Sequence, residues 1–348
     1  MSPRHAGLLA ALAAIWGGSY LLIKYALEGF SAPMIVWGRT AIAAAVLYAA
    51  LRVTGGAASP RAAIAEVRAR PRTALVLTTL AVVLPFMLIT FGELEVPSGL
   101  TAVLISPASI FVAMFAPFID VSERVNRVQA AGMVIGLAGV ALVVGVESIH
   151  TTWQFLGAMA MIGAAACYAL SSFVVKRGYR ALTSMQTSFV SIAGAALLTL
   201  PVALLTLPDE APGVRAVAAL VVLGAVGTAL AFVIFYKLIN EAGAGKASLV
   251  SYLAPGVALA YGALLLDEAI TAAAIAGLAL ILLGVALASG GRLPRPLLGS
   301  RVRWTSRSRP PSRSSATSSA NGSRPTIPDV SPTGTSTPSS SAAPGNAS

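Results

Sequence analysis

The chain has 348 residues, of which 56% are apolar and only 11% charged, and its mean hydropathy is +0.81. Soluble domains carry about 25% charged residues, so a water-soluble globule is excluded. The net charge of +11 comes from cations dispersed along the chain with no accompanying binding motif; it points to membrane orientation, and no nucleic-acid partner is expected.

A bilayer core about 30 Å thick takes about 20 apolar residues per helix. Ten such runs follow in chain order, at about 6–27, 33–52, 73–91, 97–119, 128–146, 152–174, 185–207, 214–236, 245–266 and 270–290. They are too long for barrel strands and lack their alternation, so each is predicted as an α-helix. The first follows Arg4 and His5, and Ala11-Leu12-Ala13 resembles a signal-peptide cleavage site. Its apolar stretch continues to Leu27, too far for such a peptide, so a retained helix is expected. This run carries Trp16, Ser19, Tyr20 and Lys24, and the second carries Arg39. The third contains Pro85, the fourth Ser106 and Pro107, and the fifth Gly132 and Gly139. The sixth holds Tyr168, Ser171 and the lone cysteine, Cys167, which reads as a small packing group. The ninth carries Ser251, Tyr252 and Pro255, and the tenth Gly277 and Gly284. Residues 291–348, rich in Ser, Pro and Arg, have little to bury and are predicted to be a disordered cytoplasmic tail.

Every even-numbered connection is basic: Arg61, Arg68, Arg70 and Arg72 in the first of them, then Arg124 and Arg127, Lys176 and Arg177, and Lys237 and Lys246. The odd connections hold Glu28, Glu93, Glu95, Glu147, Asp209 and Glu268 instead. By the positive-inside rule both termini are expected in the cytoplasm.

One pattern occurs twice. Glu123 leads to Gly132 and Gly139-Val-Ala-Leu142, and 145 residues later Glu268 leads to Gly277 and Gly284-Val-Ala-Leu287. Five spans in each half place the second copy upside down in the bilayer, the arrangement of inverted-repeat carriers. The expected fold is an all-α integral membrane protein of ten transmembrane helices. Residues 1–146 form the first five-helix repeat and 151–290 the second, inverted one.

The residues themselves suggest roles. Pro107 and Pro255 occupy matching mid-span positions, where proline frees a carbonyl and permits a bend; both are candidate hinges, with a static kink as the alternative. Trp16, Tyr20, Tyr168 and Tyr252 offer ring area with a polar tip to a cavity, and Ser19, Ser106, Ser171 and Ser251 offer hydroxyls; packing is the competing reading for all of them. Gly132, Gly139, Gly277 and Gly284 read as helix-contact positions. Lys24 and Arg39 either snorkel to water or form an outer vestibule for carboxylates. No acidic residue lies mid-span, so a deep proton relay is not predicted, although Glu93, Glu95 or Glu268 could act from the rim. Glu123 and Glu268 are expected to favour the positive ends of the fifth and tenth helices.

Trp16-Gly-Gly-Ser-Tyr-Leu-Leu-Ile-Lys24, Pro33 with Arg39, and Ser251-Tyr-Leu-Ala-Pro255 through Asp267-Glu268 to Gly277 and Gly284 resemble the EamA-like branch of the drug/metabolite transporter superfamily. The resemblance covers roughly 7–290 and excludes the tail. It implies a ten-helix carrier with a central cavity that moves amino acids, other metabolites or drugs, often outward.

No Walker loop, paired-histidine motif or Cys/His/carboxylate cluster is present, so no enzyme, metal site or cofactor is expected. The expected function is secondary transport of a small organic metabolite across the inner membrane by alternating access. A channel or a non-transporting scaffold is the alternative. The expected partners are that small molecule and the lipid bilayer, and a homodimer stays open.

Overall fold

In a computed structural model the described residues are 2–54, 59–119, 126–145, 151–178, 182–242 and 249–288, and their regular elements are all helical. The tail, the connection that carries Glu123, and the Glu147 and Lys246 positions lie outside the described residues.

Helix α1 (Pro3–Leu27) starts where Ser2 accepts a hydrogen bond from the His5 amide and Pro3 supplies a preset φ. It is followed by α2 (Ala32–Thr54). The basic connection after α2 contains a further helix, α3 (Pro60–Ala69), capped by Ser59. It is too short and too polar to cross a membrane. Helix α4 (Pro71–Gly92) widens into a π turn over Thr79–Val83. Pro85 follows within one turn; in a regular α-helix its ring would crowd the Ala81 carbonyl and it could not donate to it, and a wider turn relieves both effects. Helix α5 (Ser98–Ile119) is broken at Ser106-Pro107 into Ser98–Ile105 and Ala108–Ile119.

Helices α6 (Arg127–Gly145) and α7 (Thr152–Gly178) come next. Helix α8 (Ser184–Leu204) begins with a capping box in which Thr183 and Gln186 satisfy each other's backbone amides. Helix α9 comprises Val214–Val222, a π turn over Leu223–Leu230, and Ala231–Ala242. Helices α10 (Val250–Leu265) and α11 (Ala272–Ala288) close the described chain.

Among the described residues, eight helices are long and apolar enough to cross a bilayer: α1, α2 and α4 to α9. Helices α10 and α11 are apolar but shorter, at 16 and 17 residues, and they lie where the ninth and tenth runs were expected. Large apolar side chains such as Phe118, Leu205 and Leu264 point outward, as an acyl-chain surround requires. The chain is thus a multi-pass helical membrane protein.

The bundle is organised by a few close pairings. Helix α6 lies along α11, α2 along α8, and α1 against both α9 and α10. Helix α7 packs on α4 and α5, and the first half of α5 packs on α10. A β-carbon on Gly284 would lie 2.5 Å from the Gly136 Cα and 2.6 Å from the Gly132 carbonyl oxygen, and one on Gly139 would lie 2.8 Å from the Gly277 carbonyl oxygen. All four glycines named from the sequence therefore meet at the α6–α11 contact.

Candidate functional site

The interior holds a cavity of about 440 Å³, within the range of small-molecule sites. Among the described residues, helices α1, α2, α4, α5, α7, α8, α9 and α10 contribute to its wall, while α3, α6 and α11 do not. Nine residues named from the sequence line it: Trp16, Ser19, Tyr20, Arg39, Ser106, Tyr168, Ser171, Ser251 and Pro255. Lys24, Pro107 and Tyr252 are not on the wall. Tyr252 is one residue from Ser251, but about 100° of helical rotation turns it to another face.

Arg39 is the only formally charged residue on the described wall. It is 6% exposed, so it does not snorkel to water. Its guanidinium lies 3.9 Å from the centre of the Phe86 ring. Its Nε and Nη2 donate to the Thr228 hydroxyl at 3.3 and 3.1 Å. The α9 π turn prepares that acceptor, because the Thr228 hydroxyl itself donates to the Leu223 carbonyl at 2.9 Å. A guanidinium has five N–H groups, and Thr228 engages two, leaving donors for an anionic ligand.

The other polar groups on the wall are mostly hydroxyls. Ser19, Ser106 and Ser171 donate to carbonyls of their own helices at 2.9, 2.7 and 2.8 Å. Their oxygens retain lone pairs for a donor. Helix α8 adds Thr187, Ser188 and Ser191, which the sequence reading did not single out. Three hydroxyls within five residues of an apolar run were the available signal. The buried Ser188 oxygen has no hydrogen-bond partner among the described residues.

The two ends of the cavity differ. At one end its wall reaches the first turns of α8 and α10 at Thr187, Ser188, Val250 and Ser251. There Trp16 meets Phe235 and Phe232, with ring centres 5.2 and 6.4 Å away. At the other end the wall stops at Ile23, Ile89 and Ala102. Beyond these lies a packed apolar layer that includes Ala26, Ile35, Val96, Leu100 and Val103.

This sealed end is pinned by polar contacts. Lys24 donates to the Glu93 backbone carbonyl, tying α1 to the end of α4. The Glu268 carboxylate accepts from the amides of Ser98 and Gly99 at 2.7 and 2.9 Å and from the Ser98 hydroxyl at 3.1 Å. Glu268 was expected to serve the tenth helix. It caps α5 instead, and Thr271 accepts from the Ala274 amide at the start of α11. Asp267 adopts φ 53°, a left-handed conformation that aspartate tolerates, and this turns Glu268 back toward α5. Charge-assisted bonds to a helix N-terminus are strong. Replacing Glu268 with Ala is therefore expected to cost about 1–3 kcal/mol, read as a lower unfolding temperature in detergent, with Glu268→Gln retaining part of the loss.

The comparisons with known proteins agree with this architecture. The family model described as the EamA-like transporter family matches residues 5–145 and 155–290. An uncharacterized transporter, YoaV, of Bacillus subtilis (strain 168) is 28% identical over 57% of this chain and 68% of its own length. A protein of Streptantibioticus cattleyicolor named as a probable terminal-alkyne amino-acid exporter is 26% identical over 80% of this chain and 91% of its own. A protein of Salmonella typhimurium named as a probable amino-acid metabolite efflux pump is 25% identical over 64% of this chain and 74% of its own. One crystal structure superposes with a TM-score of 0.58 at 19% identity, covering 83% of this chain and 98% of that one; at that identity it speaks for the fold alone. With the family model matched across both halves of the helical region, the chain belongs to the EamA-like transporter family.

Proposed function

We propose that this protein is a secondary transporter that exports a small organic metabolite bearing a carboxylate or similar anionic group, amino acid-like or drug-like, by alternating access. The observation that carries this reading is a mid-bundle cavity whose only charged wall group among the described residues is Arg39 and which is sealed at one end. Rings from Trp16, Tyr20, Tyr168 and Phe86 offer apolar area, and the hydroxyls fix orientation. Names of two relatives, an exporter and an efflux pump, support the outward direction.

The mechanism rests on ten spans in two inverted five-helix halves. Several features support this. The pairings α6–α11, α2–α8 and α5–α10 each join equivalent spans of the two halves. The pairings of α1 with α9 and α10 are the counterparts of α7 with α4 and α5. The third and eighth spans each carry a π turn at about the same depth. Equivalent halves can exchange conformations, which moves the open end from one face to the other. Pro107 and Pro255 are the hinges in this scheme. Both termini lie in the cytoplasm of an inner-membrane protein, so the open end in this structure faces inward and the sealed end outward.

The test is counterflow in proteoliposomes, with amino acids, nucleobases and cationic dyes as labelled solutes. Saturable uptake of an anionic or zwitterionic solute, accelerated by the same solute on the opposite side, is expected. Linear, unsaturable flux would mean a channel, and no flux of any solute a scaffold.

A further inference from the structure

Glu93 stands apart from the other carboxylates of the described chain. It follows the last residue of α4, where the sequence places it at the membrane rim, yet its relative exposure is 0%. Its neighbours Leu94 and Glu95 are exposed. Neither carboxyl oxygen has a hydrogen-bond partner among the described residues. The Lys24 ammonium bonds to the Glu93 backbone carbonyl rather than to its side chain. The Thr101 hydroxyl, on α5, donates to the Pro97 carbonyl at 3.2 Å.

The charged and titratable groups around Glu93 come from every side of the seal. Helix α1 supplies Lys24 and Tyr20, α2 supplies Arg39, and the turn between α10 and α11 supplies Glu268. Glu268 is already satisfied as an anion by three donors at the α5 N-terminus. The one side-chain hydroxyl close to the second carboxylate, Thr101, donates to the Pro97 carbonyl instead, and burying a charge without a donor is costly. Burial therefore holds the Glu93 carboxyl well above the ordinary carboxylate range, opposed first by Lys24, reinforced by Glu268, and opposed further by Arg39 and the Thr101 hydroxyl.

We propose that Glu93 is a proton-binding site whose occupancy latches the sealed end of the carrier, so that closing this end takes up one proton and opening it releases one. The latch deepens the alternating-access reading and presupposes that the sealed end opens. The sign follows from linkage. When the end opens, water reaches Glu93 and its carboxyl returns to ordinary acidity; when the end closes, the carboxyl must hold its proton. Closure is favoured at low pH and weakens, by up to about tenfold per pH unit, as pH rises through the window between the two acidities. The pH of the outer face and the closure of the sealed end are thereby linked through one group that does not line the cavity.

Ala26 is fully buried in the apolar layer of the sealed end, so its accessibility reports opening. The experiment compares an impermeant thiol reagent's labelling rate of A26C, in a C167A background, with and without Glu93→Gln. Dividing one rate by the other removes the intrinsic pH dependence of the thiol. Between about pH 6 and about pH 8, the rate with Glu93 intact is expected to rise at least about fivefold relative to Glu93→Gln. A constant ratio overturns the latch and makes Glu93 a structural partner of Lys24. Should Glu93→Gln fail to fold, infrared spectra of the unsubstituted protein decide: a protonated carboxyl band persisting at about pH 7.5 is expected, and carboxylate bands alone overturn the proposal. Counterflow measured on the same vesicles separates the two ideas. Counterflow with a constant ratio removes the latch only, and a pH-dependent ratio without counterflow removes the carrier reading only.

Discussion

Replacing Arg39 with Gln is expected to raise the half-saturating concentration for an anionic substrate at least about 30-fold, with little change in unfolding temperature. The magnitude follows from the setting. Arg39 is 6% exposed, so a ligand carboxylate that meets it does so away from bulk water. Removing one partner of a buried, hydrogen-bonded charge pair costs about 2–5 kcal/mol, and about 1.4 kcal/mol is tenfold in affinity. Phe86 and Thr228 hold the guanidinium plane from two directions, so little ordering remains to be done on binding. Lysine keeps the charge but loses the planar fork and the ring stacking. Arg39→Lys should therefore recover only part of the affinity, and Thr228→Val should weaken binding by freeing the guanidinium to wander. Counterflow kinetics on each variant, beside thermal unfolding in detergent, check these outcomes. Equal half-saturation for Arg39→Gln and the unsubstituted protein would remove Arg39 from the site.

The largest effect on folding is expected at Gly284. A β-carbon there would approach the Gly136 backbone nitrogen and Cα, both at 2.5 Å, and the Gly132 carbonyl at 2.6 Å. These are backbone atoms, which cannot swing aside, so α6 and α11 must separate. Separation forfeits dispersion contacts along the whole helix pair, and between membrane helices close packing is much of what holds the pair together. Gly284→Ala is expected to cost about 1–3 kcal/mol, and Gly284→Leu to abolish monodisperse protein in detergent. Gly256 is the control. It is also a helical glycine, following Pro255 in α10, but nothing lies within 4 Å of its Cβ position. Gly256→Ala should be neutral or slightly stabilising by helix propensity. Unfolding temperatures that ranked the two substitutions equally would contradict the close α6–α11 contact.

The spans were legible because a bilayer reads composition along one dimension: ten apolar runs correspond to eight spanning helices and two shorter ones. The duplicated pattern contains four of the glycines at the α6–α11 contact, but not Gly136, four residues after Gly132. Local backbone detail was less visible. No residue type announces a π turn, and of the two turns in α4 and α9 only the first has a sequence correlate, Pro85. Cavity membership was only partly readable, because spacing along a helix does not say which face turns inward; Ser251 lines the wall while Tyr252 does not. Glu93 was furthest from view. Its neighbours include Lys24, Thr101 at the start of α5 and Glu268 in the turn before α11, which are distant in sequence. Likewise the Arg39–Thr228 contact joins residues on α2 and α9, and no local pattern connects them.

The most direct measurement of alternating access is the two-sided accessibility of S251C in a C167A background. Ser251 is exposed on the cavity wall at the first turn of α10. In vesicles of known orientation, an impermeant thiol reagent should label it from the face where α10 begins and not from the opposite face. Saturating transported substrate on the opposite face should then slow that labelling by drawing the carrier into its other conformation. Labelling from both faces at once, or a rate that substrate does not change, would contradict a cavity that opens to one side at a time.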